Sequence, residues 1–143
     1  MRFWDASAII PLCLVEPQTA RVKELAEEDG EIVVWWSTPI ECCSAFARLR
    51  REGIVSRTGE DQARRSLVSL AGAWTEIQPG TVIRESAVRA LLFHPIRAAD
   101  ALQLSAALVW VGGHPTTHEF VCFDHRLRDA ASREGFIVLP EVA

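Results

Sequence analysis

The chain has 143 residues, of which 49% are apolar and 24% are charged, so it is long enough for one domain with a hydrophobic core and too apolar to be disordered. Its formal net charge of −4, from 15 basic and 19 acidic residues, argues against a protein that holds nucleic acid by bulk charge alone. No apolar run reaches the roughly 18 residues of a membrane span, and no cleavage site of small residues follows the apolar segment near the N-terminus. The four cysteines lack C-x-x-C spacing, and we expect all four to be small buried residues of a cytoplasmic protein.

The first half of the chain alternates short apolar runs with helical patterns. Residues 2–4 predict a strand that ends at Asp5. The uninterrupted apolar run 32–36, IVVWW, is typical of a strand buried on both faces of a sheet. We expect Trp35 and Trp36 to point to opposite faces and to pack in the core. The helices predicted in this half are residues 7–14, 18–28, 39–52 and 58–74.

The second half continues the alternation. Its predicted strands are residues 76–78, 120–123 and 136–139, and its predicted helices are residues 82–93, 98–111 and 126–134. The helix 98–111 is apolar around most of its circumference, which predicts burial in the core or in part against another subunit. Strands that alternate with helices indicate an α/β fold with a mostly parallel sheet covered on both faces. Without a repeat or a linker, residues 1–143 are predicted to form a single domain.

Four carboxylates lie where a predicted strand ends or a predicted helix begins. Asp5 and Asp124 follow strands, whereas Glu41 and Asp100 lie in the first turns of helices. Each position also has a local explanation: Asp5 and Asp124 are suitable N-caps, and a carboxylate such as Asp100 is favoured by the helix dipole.

Glu41 has a local explanation too, because Thr38, Pro39 and Glu41 fit a capping box with threonine at the N-cap. Capping alone, however, does not require four acids to gather. In an open parallel sheet the functional crevice lies beyond the carboxyl ends of the strands, where all four are expected. Crowded carboxylates repel one another unless a cation offsets the repulsion, and oxygen ligands favour Mg²⁺ or Mn²⁺ over zinc. Such ions support hydrolysis of phosphate esters, and the sequence offers no nucleophile elbow and no Walker loop.

The four acids occur in local contexts that resemble the PIN-domain nucleases, and within them the VapC-type toxins of bacterial toxin–antitoxin pairs. The resemblance covers essentially the whole chain, and Cys122 stands where that family often has threonine or serine. The segments that carry it are FWDASAIIPL, STPIECCSAFARLRREG, HPIRAADALQLSAAL and VCFDHRLRDAASREGFIVLP.

The resemblance implies a three-layer α/β/α sandwich and an endoribonuclease that hydrolyses RNA with Mg²⁺ or Mn²⁺. It also implies a homodimer and a cognate antitoxin that inhibits the acidic site. By position, Asp5, Asp100 and Asp124 would bind the metal directly, and Glu41 would complete the cluster and orient the attacking water. Ser7 would support the cluster by a hydrogen bond, although a local role at the helix start explains it equally well.

A hypothesis of another class is a catalytically idle PIN-like module that binds RNA or a partner protein. Retention of four acids favours the enzyme, because an idle module has no need of crowded carboxylates. The most basic segment, residues 48–65, has six arginines against three acids. It could guide RNA, pair with an acidic partner, or be a solvated helix pair with internal ion pairs. Arg97 and His125 are further candidates for contact with the substrate.

Overall fold

Five short strands form one parallel sheet in the computed structural model, which describes residues 1–142. The strands are β1 (Arg2–Trp4), β2 (Ile32–Trp35), β3 (Thr75–Ile77), β4 (Glu119–Val121) and β5 (Ile137–Leu139). Their order across the sheet is β3-β2-β1-β4-β5, and every neighbouring pair is parallel. The prediction of a mostly parallel sheet is therefore confirmed.

Seven helices connect the strands over the described residues. They are α1 (Ala6–Cys13), α2 (Thr19–Asp29), α3 (Thr38–Arg51), α4 (Arg57–Ala71), α5 (Thr81–Phe93), α6 (Ala98–Trp110) and α7 (His125–Glu134). One core cluster packs α1 to α4 against one face of the sheet, and a second packs α5 to α7 against the other. This arrangement confirms the α/β/α sandwich. Among the helices described, none is long and apolar enough to cross a membrane.

The strand order contains a switch point between β1 and β4. The chain runs outward from β1 through β2 to β3, then returns to the other side of β1 and continues through β4 to β5. At a switch point two neighbouring connections leave in opposite directions, so a crevice opens at the carboxyl edge of the sheet. Asp5 and Asp124 follow the two strands on either side of this point, and the backbone N–H of Asp5 donates to the carbonyl of Val121 at 3.0 Å.

Strand β2 ends one residue earlier than predicted. Trp35 is buried as expected, but the chain turns at residues 36–37, and Trp36 is 45% exposed. The prediction that Trp36 packs in the core is therefore wrong. Two cysteines are also less buried than predicted, since Cys13 and Cys43 are only half-buried.

The predicted capping box is also wrong. Helix α3 begins at Thr38 with Ser37 as its N-cap, and the serine side chain caps no backbone N–H. Thr38 is fully buried, and its hydroxyl accepts a hydrogen bond from Gln103 of α6 at 3.1 Å. A tertiary contact therefore takes the hydroxyl that the local pattern assigns to the helix end.

Strand β4 ends at Val121, so Asp124 does not close the strand as predicted. Asp124 is instead the N-cap of α7, where its Oδ1 accepts from the N–H of Leu127 at 3.1 Å.

Candidate functional site

Asp5 is a buried carboxylate at the end of β1, with 5% of its surface exposed. It is the N-cap of α1, and its Oδ2 accepts from the N–H of Ser7 at 3.1 Å. Burial raises the pKa of Asp5, the hydrogen bonds from Ser7 oppose the shift, and the charge of Asp100 adds to it. The capping interpretation is thus correct for Asp5, but a capping role alone does not explain why this carboxylate is buried beside another one.

Glu41 lies in the first turns of α3 and is half-buried. The side-chain N–H of Gln103 donates to Glu41 Oε2 at 2.6 Å, and the hydroxyl of Ser37 donates to the same oxygen at 3.4 Å. Burial raises the pKa of Glu41 to about 7, and the charges of Asp5 and Asp100 add to the shift. Glu41 therefore titrates near neutral pH and is held by side chains from two helices.

Gln103 was not found from the sequence. It is fully buried in α6, and its amide links Thr38 and Glu41 to that helix. A signal was available: it is the one side-chain amide in a mostly apolar helix, and it lies three residues after Asp100 and so on the same helical face.

Asp100 lies in the first turn of α6 and is half-buried. Its Oδ2 accepts from the backbone N–H of Arg97 at 3.3 Å. Burial raises the pKa of Asp100, and the charge of Asp124 adds to the rise; the Arg97 N–H bond and the positive charges of Arg97 and Arg126 lower it. Asp100 thus lies between a second carboxylate and two guanidinium groups.

Ser7 and Cys122 connect the two strand ends. The Ser7 hydroxyl accepts from the N–H of Phe123 at 3.0 Å and donates to Cys122 Sγ at 3.7 Å. The Cys122 thiol lies 3.7 Å from Asp5 Oδ2 and 3.6 Å from the carbonyl of Asp124, and it can donate to one of them at a time. Burial raises the pKa of this thiol, so it remains protonated. Ser7 therefore makes both kinds of contact considered from the sequence. Its backbone N–H donates to the N-cap Asp5, and its hydroxyl accepts from the N–H of Phe123 beyond β4.

Asp5, Glu41, Asp100 and Asp124, hereafter the acid cluster, lie near one another around the switch point. Each neighbour adds to the rise in pKa that burial causes: Asp5 acts on Glu41, Asp100 on Asp5, and Asp124 on Asp100. Asp100 and Asp124 open to solvent through a space of about 500 Å³, which we call the carboxyl-edge crevice. Its lining residues are Arg97, Ala99, Asp100, Asp124, His125 and Arg126.

The basic segment 48–65 is engaged in contacts of its own. Arg50 Nε lies 2.6 Å from Glu60 Oε1, and Arg64 lies 3.7 Å from the other oxygen of Glu60. These pairs between α3 and α4, and within α4, favour the interpretation of a helix pair with internal ion pairs.

The residues of the acid cluster fit a hard divalent cation in chemistry. All of their donor atoms are oxygen, and Gln103 Oε1 is a buried oxygen without a hydrogen-bond partner. Within residues 1–142, however, no three His, Cys, Asp or Glu side chains are grouped so that they could hold a metal ion. Mg²⁺ is commonly bound by only one or two carboxylates together with water and substrate phosphate, so the donor set suits that mode rather than a closed protein cage.

Comparison with known proteins gives matches in structure alone. No family model matches the chain, and no curated protein matches it in sequence. The structure is similar to VapC20 of Mycobacterium tuberculosis, a toxin that cleaves the sarcin–ricin loop, with a TM-score of 0.67 and 18% identity over 96% of this chain and 97% of that one. FitAcB from Neisseria gonorrhoeae gives a TM-score of 0.67 and 15% identity over 96% of both chains. A toxin–antitoxin complex from Klebsiella pneumoniae gives 0.63 and 15% over 100% of this chain and 96% of that one. At these identities the comparisons establish a shared fold.

Proposed function

We propose that this chain, which has the PIN-domain fold, is a metal-dependent endoribonuclease toxin that hydrolyses RNA phosphodiester bonds and is inhibited by a cognate antitoxin. The observation that carries the proposal is the convergence of Asp5, Glu41, Asp100 and Asp124 at the switch point of the sheet. The pKa values of three of these acids are raised, first by burial and then by neighbouring carboxylates, and a bound cation would favour the charged form of each.

Asp5, Asp100 and Asp124 are the proposed carboxylates for Mg²⁺ or Mn²⁺. Because no three acidic side chains within residues 1–142 are grouped so that they could hold an ion, one or two of them would bind it directly, with water and substrate phosphate completing the coordination. When bound, such an ion makes water a stronger acid and offsets the charge that develops on the phosphate. Asp5 and Asp124 are oriented as N-caps, so their positions are set before any ion arrives.

Glu41 is the proposed acceptor for a proton of the attacking water. A general base works best when its pKa lies near the operating pH, and the pKa of Glu41 is raised to about 7. The short bond from Gln103 holds one of its carboxylate oxygens and leaves the other available. Arg97 and Arg126, in the crevice beside Asp100, are suited to bind the phosphates that flank the scissile bond.

The proposed partners are an antitoxin and a second copy of the chain. The likeness in fold to VapC20 and to a toxin–antitoxin complex supports the first, and the acid cluster suits a basic inhibitory segment. Exposed apolar side chains on α5 support the second, because such a surface is commonly covered by a partner. They are Val82, Val88, Leu91, Leu92 and Phe93.

The test is cleavage of total cellular RNA by antitoxin-free protein stripped with EDTA, with added Mg²⁺, added Mn²⁺ or no metal. Asp5→Asn and Asp100→Asn each remove one proposed ligand charge, and Asp61→Asn makes the same change at an exposed position of α4. We expect discrete metal-dependent fragments from the parent chain and from Asp61→Asn. In the two site variants we expect cleavage to fall about 100-fold or more, since loss of even an outer partner of a metal site costs about 10- to 100-fold.

The result separates the two classes of function considered above. Cleavage that survives both site substitutions would show that the acid cluster is not the active site. A folded chain that binds RNA but cleaves none under any metal condition would favour the idle binding module.

A further inference from the structure

Trp36 is an exposed indole held at the carboxyl end of β2. Its backbone N–H donates to the carbonyl of Ile77 at 3.0 Å, which extends the pairing of β2 with β3 by one residue. The chain then turns, and the Trp36 ring lies edge-on to the buried Trp35 ring, with centroids 6.5 Å apart and an interplanar angle of 69°. Neighbours in a regular strand would point to opposite faces. The turn instead keeps Trp36 next to Trp35 at the edge of the sheet, with 45% of its surface free.

This position is close to the acid cluster. Strand β2 is the neighbour of β1, whose end carries Asp5. The residue after Trp36 is Ser37, whose hydroxyl donates to Glu41 at 3.4 Å. Across β1 from Trp36, at the end of β4, lies the carboxyl-edge crevice with Arg97 and Arg126.

The carboxyl edge thus carries two kinds of group on either side of the acids. Guanidinium groups lie on the β4 side, and a flat aromatic surface lies on the β2 side. Strands β2 and β4 are two spacings apart, which is about 10 Å. A polymer that carries both anionic phosphates and flat aromatic bases, in alternation along its length, matches this arrangement over a few nucleotides.

We propose that Trp36 is a stacking platform for an unpaired base of the RNA that enters the carboxyl-edge crevice. This inference rests on the proposed function and adds to it the residue that selects unpaired substrate. Base stacking on an aromatic side chain tolerates any base but requires that the base be free of its own helix. The contact with Trp35 fixes the ring before RNA binds, so little side-chain freedom is lost on stacking.

The experiment measures binding of a labelled 12-nucleotide single-stranded RNA of mixed sequence, and of the same strand annealed to its complement, in EDTA so that no cleavage occurs. Trp36→Leu removes the aromatic ring and keeps an apolar side chain, and Trp36→Phe restores a ring. Val68→Ala is the control, because Val68 of α4 is also an exposed apolar side chain, at 72%, and it lies outside both the crevice and the apolar surface of α5. Steady-state cleavage of the single strand with Mg²⁺ and sedimentation of each variant accompany the binding assay.

We expect Trp36→Leu to weaken binding of the single strand about tenfold, in the lower part of the range for one stacked base. Trp36→Phe should recover most of that loss, Val68→Ala should bind like the parent chain, and the duplex should not distinguish the variants. In cleavage, the loss should appear in KM more than in kcat, because the ring does not touch the reacting atoms.

Two results would overturn the inference. One is unchanged binding of the single strand by Trp36→Leu; with cleavage still dependent on Asp100, the proposed function would then stand without it. The other is a change of assembly state in Trp36→Leu but not in Val68→Ala, which would show that the indole is covered by protein. Stacking through Trp36 without cleavage at any metal concentration would support the inference and contradict the proposed enzyme.

Discussion

Two openings on the surface of this molecule differ in size and in kind. The cavity beside α5 and α6 has a volume of about 680 Å³ and is lined mainly by apolar groups and glycines, among them Val82, Phe93 and Val109. The carboxyl-edge crevice has about 500 Å³ and is lined mainly by charged groups, including Asp100 and Asp124. The larger opening carries no cluster of like charges, and the smaller one lies at the switch point of the sheet. The proposed site is thus the smaller and the more highly charged of the two openings.

The charged groups at the two openings are balanced differently. In the α5/α6 cavity His94 is buried, and its Nε2 lies 2.7 Å from Glu134 Oε2, so each group has its partner within the chain. In the acid cluster the partners of Asp5, Asp100 and Asp124 are mainly N–H groups at helix starts, and burial, with a smaller contribution from neighbouring acids, raises the pKa values of Asp5 and Asp100. N–H groups offset a carboxylate charge only in part. His94 and Glu134 are thus paired within the chain, whereas the acids of the cluster have no side-chain cation as a hydrogen-bond partner among the described residues, and this is the charge that the proposed metal would offset.

The largest expected effect is on kcat for RNA cleavage, and it compares one residue from the acid cluster with one from the α5/α6 cavity. Glu41→Gln removes the proposed proton acceptor and keeps the bond from Gln103, so we expect kcat for RNA cleavage to fall about 100-fold. Binding of Mn²⁺, followed by its electron paramagnetic resonance, should change much less, because Glu41 is not among the proposed ligands. Glu134→Gln, a matched change in the α5/α6 cavity, should cleave like the parent chain. Equal losses in both variants would mean that the comparison of the two openings is wrong.

The next effect is a pH dependence of stability in the metal-free protein. Glu41 has a folded pKa of about 7, above its ordinary value of 4.5, so between these values the folded state binds more protons than the unfolded state. The free energy of unfolding should therefore fall as pH rises from about 5 to 8, by about 1–3 kcal/mol, with the raised pKa values of Asp5 and Asp100 acting in the same direction. Urea unfolding at each pH measures this slope.

Glu41→Gln is the control for that slope, since glutamine does not titrate and the variant should show a shallower fall. Asp100→Asn should be as stable as the parent chain, or more so, at pH 8 without metal, because it removes one of the repelling charges. Stability that rises from pH 5 to 8 would contradict the electrostatic account of the acid cluster.

The last predicted effect is a loss of stability that concerns the α5/α6 cavity alone. Glu134→Ala leaves the buried Nε2 of His94 without its partner, so we expect a loss of about 1–3 kcal/mol in the free energy of unfolding. Cleavage of RNA below the melting temperature should not change. A loss of cleavage without a loss of stability would instead link this cavity to the active site.

The parts of the fold that local patterns determine were predicted well. Short apolar runs predicted the positions of β1 and β2, and the seven helices of the described residues fall within a few residues of their predicted bounds. Asp5 and Asp124 could be assigned to one edge because parallel strands place their carboxyl ends together. The errors lie at element ends, where local signals compete. The side chain of Thr38 caps nothing in its own helix, because the amide of Gln103, 65 residues away, takes its hydroxyl.

The amino-acid sequence by itself determined the α/β class, the parallel sheet and the four acids as candidates, since periodicity and strand-end position are properties of short segments. Only the tertiary structure decided which groups support those acids and which groups are already neutralised. Gln103 of α6 donates to Glu41 of α3, the thiol of Cys122 after β4 contacts Asp5 after β1, and His94 is paired with Glu134 of α7. Trp36 is likewise exposed because the chain turns at the sheet edge, although the apolar run that contains it predicts burial. The physical reason is common to all four: each depends on contacts or packing between elements, and hydrophobic patterning specifies which face of an element is buried but not which polar groups meet there.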